Sequence, residues 1–243
     1  MAVTISERLG AIAAYCPKGA RVADIGSDHA LLASFLLENG VASYVVAGEV
    51  NEGPYRAAQK QLADLIANGL ASVRKGDGLA VLRPGEVDVV CIAGMGGQLI
   101  VSILERGKAK LQDVRRLILQ PNVGEERVRR WLWQNGWQLS RETILKEDDV
   151  IYEILVAEPG DPAQPYSGQE RSVAELLRLG PLLWREKPPL LLEKWSRERE
   201  KLQRILAQVT KSQSAEASAR AQAVKQELNW LDEVIRCLQT GKP

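Results

Sequence analysis

From residue 20 to about 135, short apolar runs alternate with longer segments whose apolar positions recur every three or four residues. The runs predict strands at 21–25, 44–48, 71–75, 87–92 and 116–120, and the longer segments predict helices at 30–39, 53–68, 97–106 and 124–135. A short helix over Ser6–Tyr15 precedes them, with Ile5, Leu9, Ile12 and Ala13 on one face, and Pro17-Lys18-Gly19 breaks it. Strand followed by helix, repeated, predicts an α/β domain with a mainly parallel sheet. Two further strands, near 137–146 and 150–158, are separated only by Lys146-Glu147-Asp148-Asp149. No helix fits between them, so they are expected to pair as an antiparallel hairpin and complete a seven-stranded sheet.

The stretch Pro159–Gly168 reads as a linker from its Pro and Gly content, and the strand pattern stops beyond it. Leu191, Trp195, Leu202, Ile205 and Val209 fall on an a/d seam. Val224, Leu228, Leu231, Ile235 and Leu238 are spaced as heptads, and the small polar stretch Ser212–Ser218 lies between the two sets. The expected organisation is an α/β domain over 1–160 and a helical coiled-coil hairpin over 170–243.

Charge sharpens this division. The net charge is +1, but residues 171–243 carry 14 Lys/Arg against 9 Asp/Glu, whereas residues 1–170 carry 18 against 22. An acidic body with a basic tail suggests a polyanionic partner held by the tail, although a solvated helical surface has the same composition. Cys16, Cys91 and Cys237 have no CxxC spacing and there is a single histidine, so neither a metal site nor a disulfide framework is expected. The first residues lack the apolar core of a signal peptide, and no run reaches the ~20 apolar residues of a membrane span. A cytoplasmic protein, not bound to a membrane, is expected.

Candidate chemistry gathers where the strands end. Asp24, Gly26, Ser27 and Asp28 close the first strand, and the helix that follows can offer amides to an anion. Gly26-Ser27-Asp28-His29-Ala30 lacks the second glycine of GxGxxG, so a ligand without a pyrophosphate suits it better. Asp28 could accept from an ammonium group, or simply cap a helix. His29 is a base or a structural residue. Glu49, followed by Val50, ends the second strand, where a carboxylate can accept both ribose hydroxyls of a nucleoside. Asp77, before Gly78, could accept from an adenine amino group, or be an ordinary Asp-Gly turn. Ala93-Gly94-Met95-Gly96-Gly97 ends the fourth strand and would let a flat base approach the backbone. Gln120 and Asn122, at the end of the fifth, carry amides suited to a base edge. Trp131, Trp133 and Trp137 could stack on bases or fill the core.

Together these residues resemble the bacterial tRNA (adenine-22-N1)-methyltransferase family. The resemblance rests on ADIGSDHA (23–30), AGE (47–49), GDGL (76–79), IAGMGG (92–97), LILQPN (117–122), Tyr152-Glu153 and Leu155–Glu158, and the helical C-terminal hairpin. Where the family pattern continues with Tyr-Leu-Pro, this chain has Leu31-Leu32-Ala33. The resemblance implies a class I, Rossmann-like methyltransferase domain that uses S-adenosylmethionine to methylate N1 of an adenine in the D-arm region of tRNA. On that reading Asp24, Gly26, Ser27, Asp28, His29, Glu49, Val50, Asp77, Gly78, Ala93, Gly94 and Met95 hold the cofactor. Asp28, Gln120 and Asn122 act on the base. Arg127, Arg129, Arg130, Arg197, Arg199, Lys201 and Arg204 contact phosphates, and the chain works as a monomer. The alternatives are a methyltransferase acting on another RNA or a small molecule, and a non-catalytic RNA- or protein-binding module. An oxidoreductase lacks its pyrophosphate glycines.

Overall fold

The computed structural model describes residues 3–211 and 214–240. Helix α1 (Glu7–Ala14) starts where the Ser6 hydroxyl accepts from the Leu9 amide at 3.3 Å. Then follow β1 (Ala20–Ile25), α2 (Leu31–Glu38), β2 (Ala42–Glu49), α3 (Glu52–Gln61), α4 (Ala63–Ala67), β3 (Ala71–Lys75), β4 (Val89–Gly96), α5 (Gly97–Arg106), β5 (Arg116–Val123) and α6 (Glu125–Gln134). The hairpin β6 (Trp137–Glu147) and β7 (Val150–Pro159) precedes α7 (Val173–Leu179), α8 (Pro181–Glu186), α9 (Pro189–Val209) and α10 (Ala215–Thr240).

The sheet order is β3-β2-β1-β4-β5-β7-β6, with β7 antiparallel to both its neighbours and every other pairing parallel. Chain direction across the sheet reverses between β1 and β4, so the carboxyl ends of these two strands flank the crevice where such folds bind ligands. Central strands are buried on both faces, as parallel strands under two helical layers must be. One layer packs Ile100, Leu104, Val128 and Leu132 against Val90 and Leu117, and the other packs Ile12, Leu36 and Leu62 against Val45 and Ile118.

The structure departs from the sequence pattern at three places, and at two of them a residue accounts for it. The helix expected over 53–68 breaks at Leu62 into α3 and α4. Strand β4 continues through Gly94-Met95-Gly96, because Gly94 adopts φ +75° and absorbs a register shift instead of ending the strand. Strand β5 runs past Pro121 to Val123, and Pro121, which has no N–H, pairs with Met95 at that irregularity.

The chain separates into two compact units, Met1–Leu182 and Leu183–Pro243. Helix α7, within the stretch expected to belong to the helical domain, packs on α6 in the first unit. In the second unit α9 and α10 run antiparallel. Trp195 meets Trp230 edge-on at 5.6 Å, and Arg199 pairs with Asp232 at 2.5 Å. Leu191, Trp195 and Leu231 of the expected seam are buried, together with Ala221 and Val234. The remaining seam residues are half-buried, as expected where two helices cover only one stripe each. Ser212 and Gln213 of the expected polar stretch lie outside the described residues, and Ala215–Ser218 belong to α10. Among the described residues no helix is long and apolar enough to cross a membrane.

Candidate active site

A cavity of about 540 Å³ opens at the carboxyl ends of β1 and β4. Asp24, Gly26, Ser27, Asp28, Ala93, Gly94, Met95 and Asn122 line it, and all eight are among the expected site residues. Glu49 is buried behind the β1 loop, where its Oε1 accepts from the Asp28 amide at 2.7 Å and from the Ser27 hydroxyl at 3.3 Å. Gly26 has φ +72°, and a Cβ there would meet the Met95 methyl at 2.1 Å, so a side chain would displace the tip of Met95.

Backbone strain is concentrated beyond Ser27, in the three residues that follow it. Asp28, His29 and Ala30 all lie in the left-handed region, at φ 33°, 62° and 55°. Each costs a non-glycine residue roughly 1–2 kcal/mol. The Asp28 side chain is exposed at the cavity mouth, 3.6 Å from the exposed imidazole of His29. Asp28 does not cap α2, whose N-cap is Ala30.

Asp24 has the least ordinary environment. It is buried, and its Oδ2 has no hydrogen-bond partner. Burial, reinforced by the nearby Glu49 carboxylate, pushes its pKa up to about 7 against the pull of a backbone hydrogen bond at Ala33. An unpartnered carboxylate oxygen, a second buried carboxylate and a glycine cradle together fit a ligand that is cationic at one end and carries hydroxyls.

Several expected residues lie outside the lining of this cavity. The Asp77 carboxylate is bound by both Nη atoms of Arg106, at 2.5 and 3.2 Å, and lines a separate cavity of about 270 Å³. Gly78 packs against Ile103. Val50 is exposed beyond Glu49 and His29 points outward, and neither lines the cavity. Gln120, expected to touch the base, is fully buried. Its Oε1 accepts from Arg8 Nη1 at 2.5 Å and from the Gly94 amide at 3.1 Å, while its Nε2 donates to Asn122 Oδ1 at 3.1 Å. Its side chain thus links Arg8, Gly94 and Asn122. Asn122 lies on the open side of this chain and donates to the Gly94 carbonyl at 2.9 Å.

Sequence reasoning missed the far wall of the cavity. Ser6, Arg8 and Leu9 of the N-terminal segment line it with Glu147 of β6 and Tyr152 of β7. The Arg8 guanidinium lies 5.3 Å from the centre of the Tyr152 ring, and Glu147 accepts from the Arg8 amide at 3.0 Å. None of these residues ends a strand of the parallel sheet, which is where the sequence draws attention.

Arg129 is a correction of another kind. Expected to meet phosphate, it is fully buried between Glu142 at 2.6 Å and Glu153, and donates to the Leu177 carbonyl at 3.3 Å. Arg127 and Arg130, on the same helix, are exposed as expected, although Arg127 donates to Gln98 and Arg130 to Glu126. Trp131 and Trp137 are core residues, and the Trp131 indole donates to Glu105 at 2.7 Å.

A family profile described as tRNA (adenine(22)-N(1))-methyltransferase matches residues 22–233. The chain belongs to the tRNA (adenine(22)-N(1))-methyltransferase family. It is 44% identical over 234 residues to the tRNA (adenine(22)-N(1))-methyltransferase of Bacillus subtilis, covering 95% of this chain and 97% of that protein. The crystal structure of the B. subtilis m1A22 tRNA methyltransferase TrmK superposes with a TM-score of 0.87 at 41% identity, over 96% of this chain and 99% of the other. A second structure, Streptococcus pneumoniae Sp1610 in complex with S-adenosyl-L-methionine, gives a TM-score of 0.82 at 39% identity, over 96% and 100%. The strand-end cavity described above is thus the candidate active site of a tRNA (adenine(22)-N(1))-methyltransferase family member.

Proposed function

We propose that this chain transfers a methyl group from S-adenosylmethionine to N1 of adenine 22 in tRNA, forming N1-methyladenosine, in the cytoplasm and as a monomer. The observation that carries the reading is the cavity itself: Asp24 and Gly26 meet Gly94 and Asn122 at the switch point of a methyltransferase sheet, with Glu49 buried behind the β1 loop. S-adenosylmethionine, when bound, supplies a sulfonium methyl as the electrophile. Asp24, with its unpartnered oxygen, and Asp28 at the mouth match the cofactor's ammonium end, and Glu49 matches the ribose hydroxyls.

Little acid or base chemistry is asked of the protein, since the N1 lone pair is the nucleophile and alignment supplies most of the rate. As N1 is alkylated the ring becomes cationic and its amino group a stronger donor. Asn122 Oδ1 and the Gly94 carbonyl are acceptors at the cavity wall suited to that group. Target N1 must be taken out of its pairing to reach them.

Cations on the hairpin and on α6 would hold the tRNA backbone. Arg197, Arg199 and Lys201 pair with Glu193, Asp232 and Glu198, and Arg204 reaches the Glu200 carbonyl. Exposed pairs of this kind are weak enough for a phosphate to replace the carboxylate.

The test uses methyl-labelled S-adenosylmethionine and two unmodified tRNA transcripts, with adenine or guanine at position 22. Label recovered as N1-methyladenosine from the first transcript alone is expected. Label in neither, with the cofactor bound, would move the assignment to another RNA or a small molecule.

A further inference from the structure

We propose that Arg8 is a positioning residue for methyl transfer, setting the direction of a hydrogen-bonded chain that ends at Asn122. The inference rests on the methyl-transfer reading above. A guanidinium can only donate, and so can a backbone amide. Arg8 Nη1 at 2.5 Å and the Gly94 amide at 3.1 Å both point at one end of the Gln120 side chain, so that end is the oxygen. The Gln120 NH2 then faces Asn122 and can only donate, which makes the facing atom of Asn122 its Oδ1. Asn122 Nδ2 is left to donate to the Gly94 carbonyl. Gln120 is fully buried, so water cannot rescue a reversed amide.

The two amides would otherwise be nearly symmetric in shape, and a flip of either costs little sterically. Arg8 and the backbone of Gly94, whose amide donates to Gln120 and whose carbonyl accepts from Asn122, break that symmetry together, and Arg8 supplies the charge-assisted bond. Asn122, which lines the cavity, therefore keeps on Oδ1 a lone pair beyond the one that accepts from Gln120. That is the polarity an adenine amino group needs as it becomes a stronger donor, and a reversed Asn122 would offer it an N–H instead.

Direct electrostatic help from Arg8 has the wrong sign, because a cation beside a base that is turning cationic raises the barrier. The structure offsets that charge. Glu147 accepts from the Arg8 amide, its Oε2 lies 3.7 Å from Arg8 Nε, and the Tyr152 ring faces the guanidinium. Arg8 is thus held and partly neutralised, and its remaining task is to orient Gln120.

The experiment compares wild type, Arg8→Met, Arg8→Lys, Gln120→Glu and the Arg8→Met/Gln120→Glu double variant. Each is assayed as full chain with S-adenosylmethionine and the adenine-22 transcript. A glutamate at 120 accepts from Arg8 and Gly94 but cannot donate to Asn122. Arg8→Met is expected to lower kcat about 10- to 100-fold, with KM for tRNA and cofactor Kd held within about twofold. Arg8→Lys, still a donor-only cation, recovers most of the loss. The double variant is no slower than Gln120→Glu alone, because both changes cut one chain. Without any substrate, the side-chain amide NMR signals of Asn122 shift in Arg8→Met.

An unchanged or raised kcat, additive losses, or unmoved Asn122 signals would each overturn the proposal. If Arg8→Met does not fold, Arg8→Lys and Gln120→Glu carry the comparison. A wild-type enzyme that leaves adenine 22 unmethylated overturns the underlying reading instead, and the Asn122 signals then decide on the chain alone.

Discussion

Asp24 shows how one buried side chain links stability to the site. Its pKa of about 7 lies above the ordinary carboxylate range because burial and Glu49 both disfavour its charge. Below the unfolded value near 4 both states hold the proton, and Asp24 is neutral to stability. Between that value and 7 the unfolded chain releases its proton first, so stability falls as pH rises. Above 7 the penalty is complete, at most roughly 4 kcal/mol. Asp24→Asn should therefore raise the melting temperature at pH 8 and flatten the pH dependence of unfolding between about pH 4 and 7. Its cofactor affinity, measured by calorimetry, should fall at the same time. Asp24, Gly26 and Glu49 were legible in the sequence because the ends of parallel strands are where such folds place ligands. Arg8, Glu147 and Tyr152 were not, since they reach the cavity from an N-terminal helix and an antiparallel hairpin far apart in the chain.

Among the elements, α6 carries the clearest misreading. Arg129 sits among polar neighbours in Glu125-Glu126-Arg127-Val128-Arg129-Arg130, and nothing in the spacing of a helix separates a buried arginine from a solvated one. The available signal lay elsewhere, in Glu142 and Glu153, two acids within the apolar hairpin strands. Arg129 ties α6 to both strands and to the Leu177 carbonyl of α7, and Glu142 Oε2 also accepts from the Leu182 amide at 2.8 Å. At Gly180, φ +85°, a Cβ would stand 2.7 Å from Arg129 Nη2. Burial works against the Arg129 charge, but Glu142 and Glu153 outweigh it and raise its pKa. Arg129→Met removes the cation between two buried carboxylates and should cost about 3–5 kcal/mol in urea unfolding at pH 7. Replacing all three charged residues with apolar ones of similar volume should restore most of that loss. Strand ends were legible only in part, because Gly94 and Pro121 are residues that ordinarily stop a strand, and here they form an irregularity within one.

For the whole molecule, the alternation of strands and helices made the α/β architecture legible. The final hairpin identified the mixed sheet, since four residues leave no room for a crossover. The hairpin of α9 and α10 was legible from its heptad spacing, and the place where the two compact units divide was not, because α7 reads like the helices that follow it. Charge is also a whole-molecule property. Lys201→Ala with Arg204→Ala should weaken tRNA binding, and the slope of log affinity against log salt should shrink by up to roughly one for each phosphate no longer neutralised. Cofactor affinity should be unchanged. Equal salt slopes for wild type and variant, measured by filter binding, would remove the hairpin from the RNA interface.

The cavity wall joins residue 8 to residues 147 and 152, and that span has a consequence for how the protein is made. A ribosome adds about 5–20 residues per second, so on the order of ten to thirty seconds separate the emergence of the first wall residue from the last. Throughout that interval the nascent chain displays its glycine loop without the opposite wall. A product of premature termination before residue 147 would carry the most recognisable motif of the family and no complete pocket. Activity in this architecture therefore arrives late in synthesis and all at once.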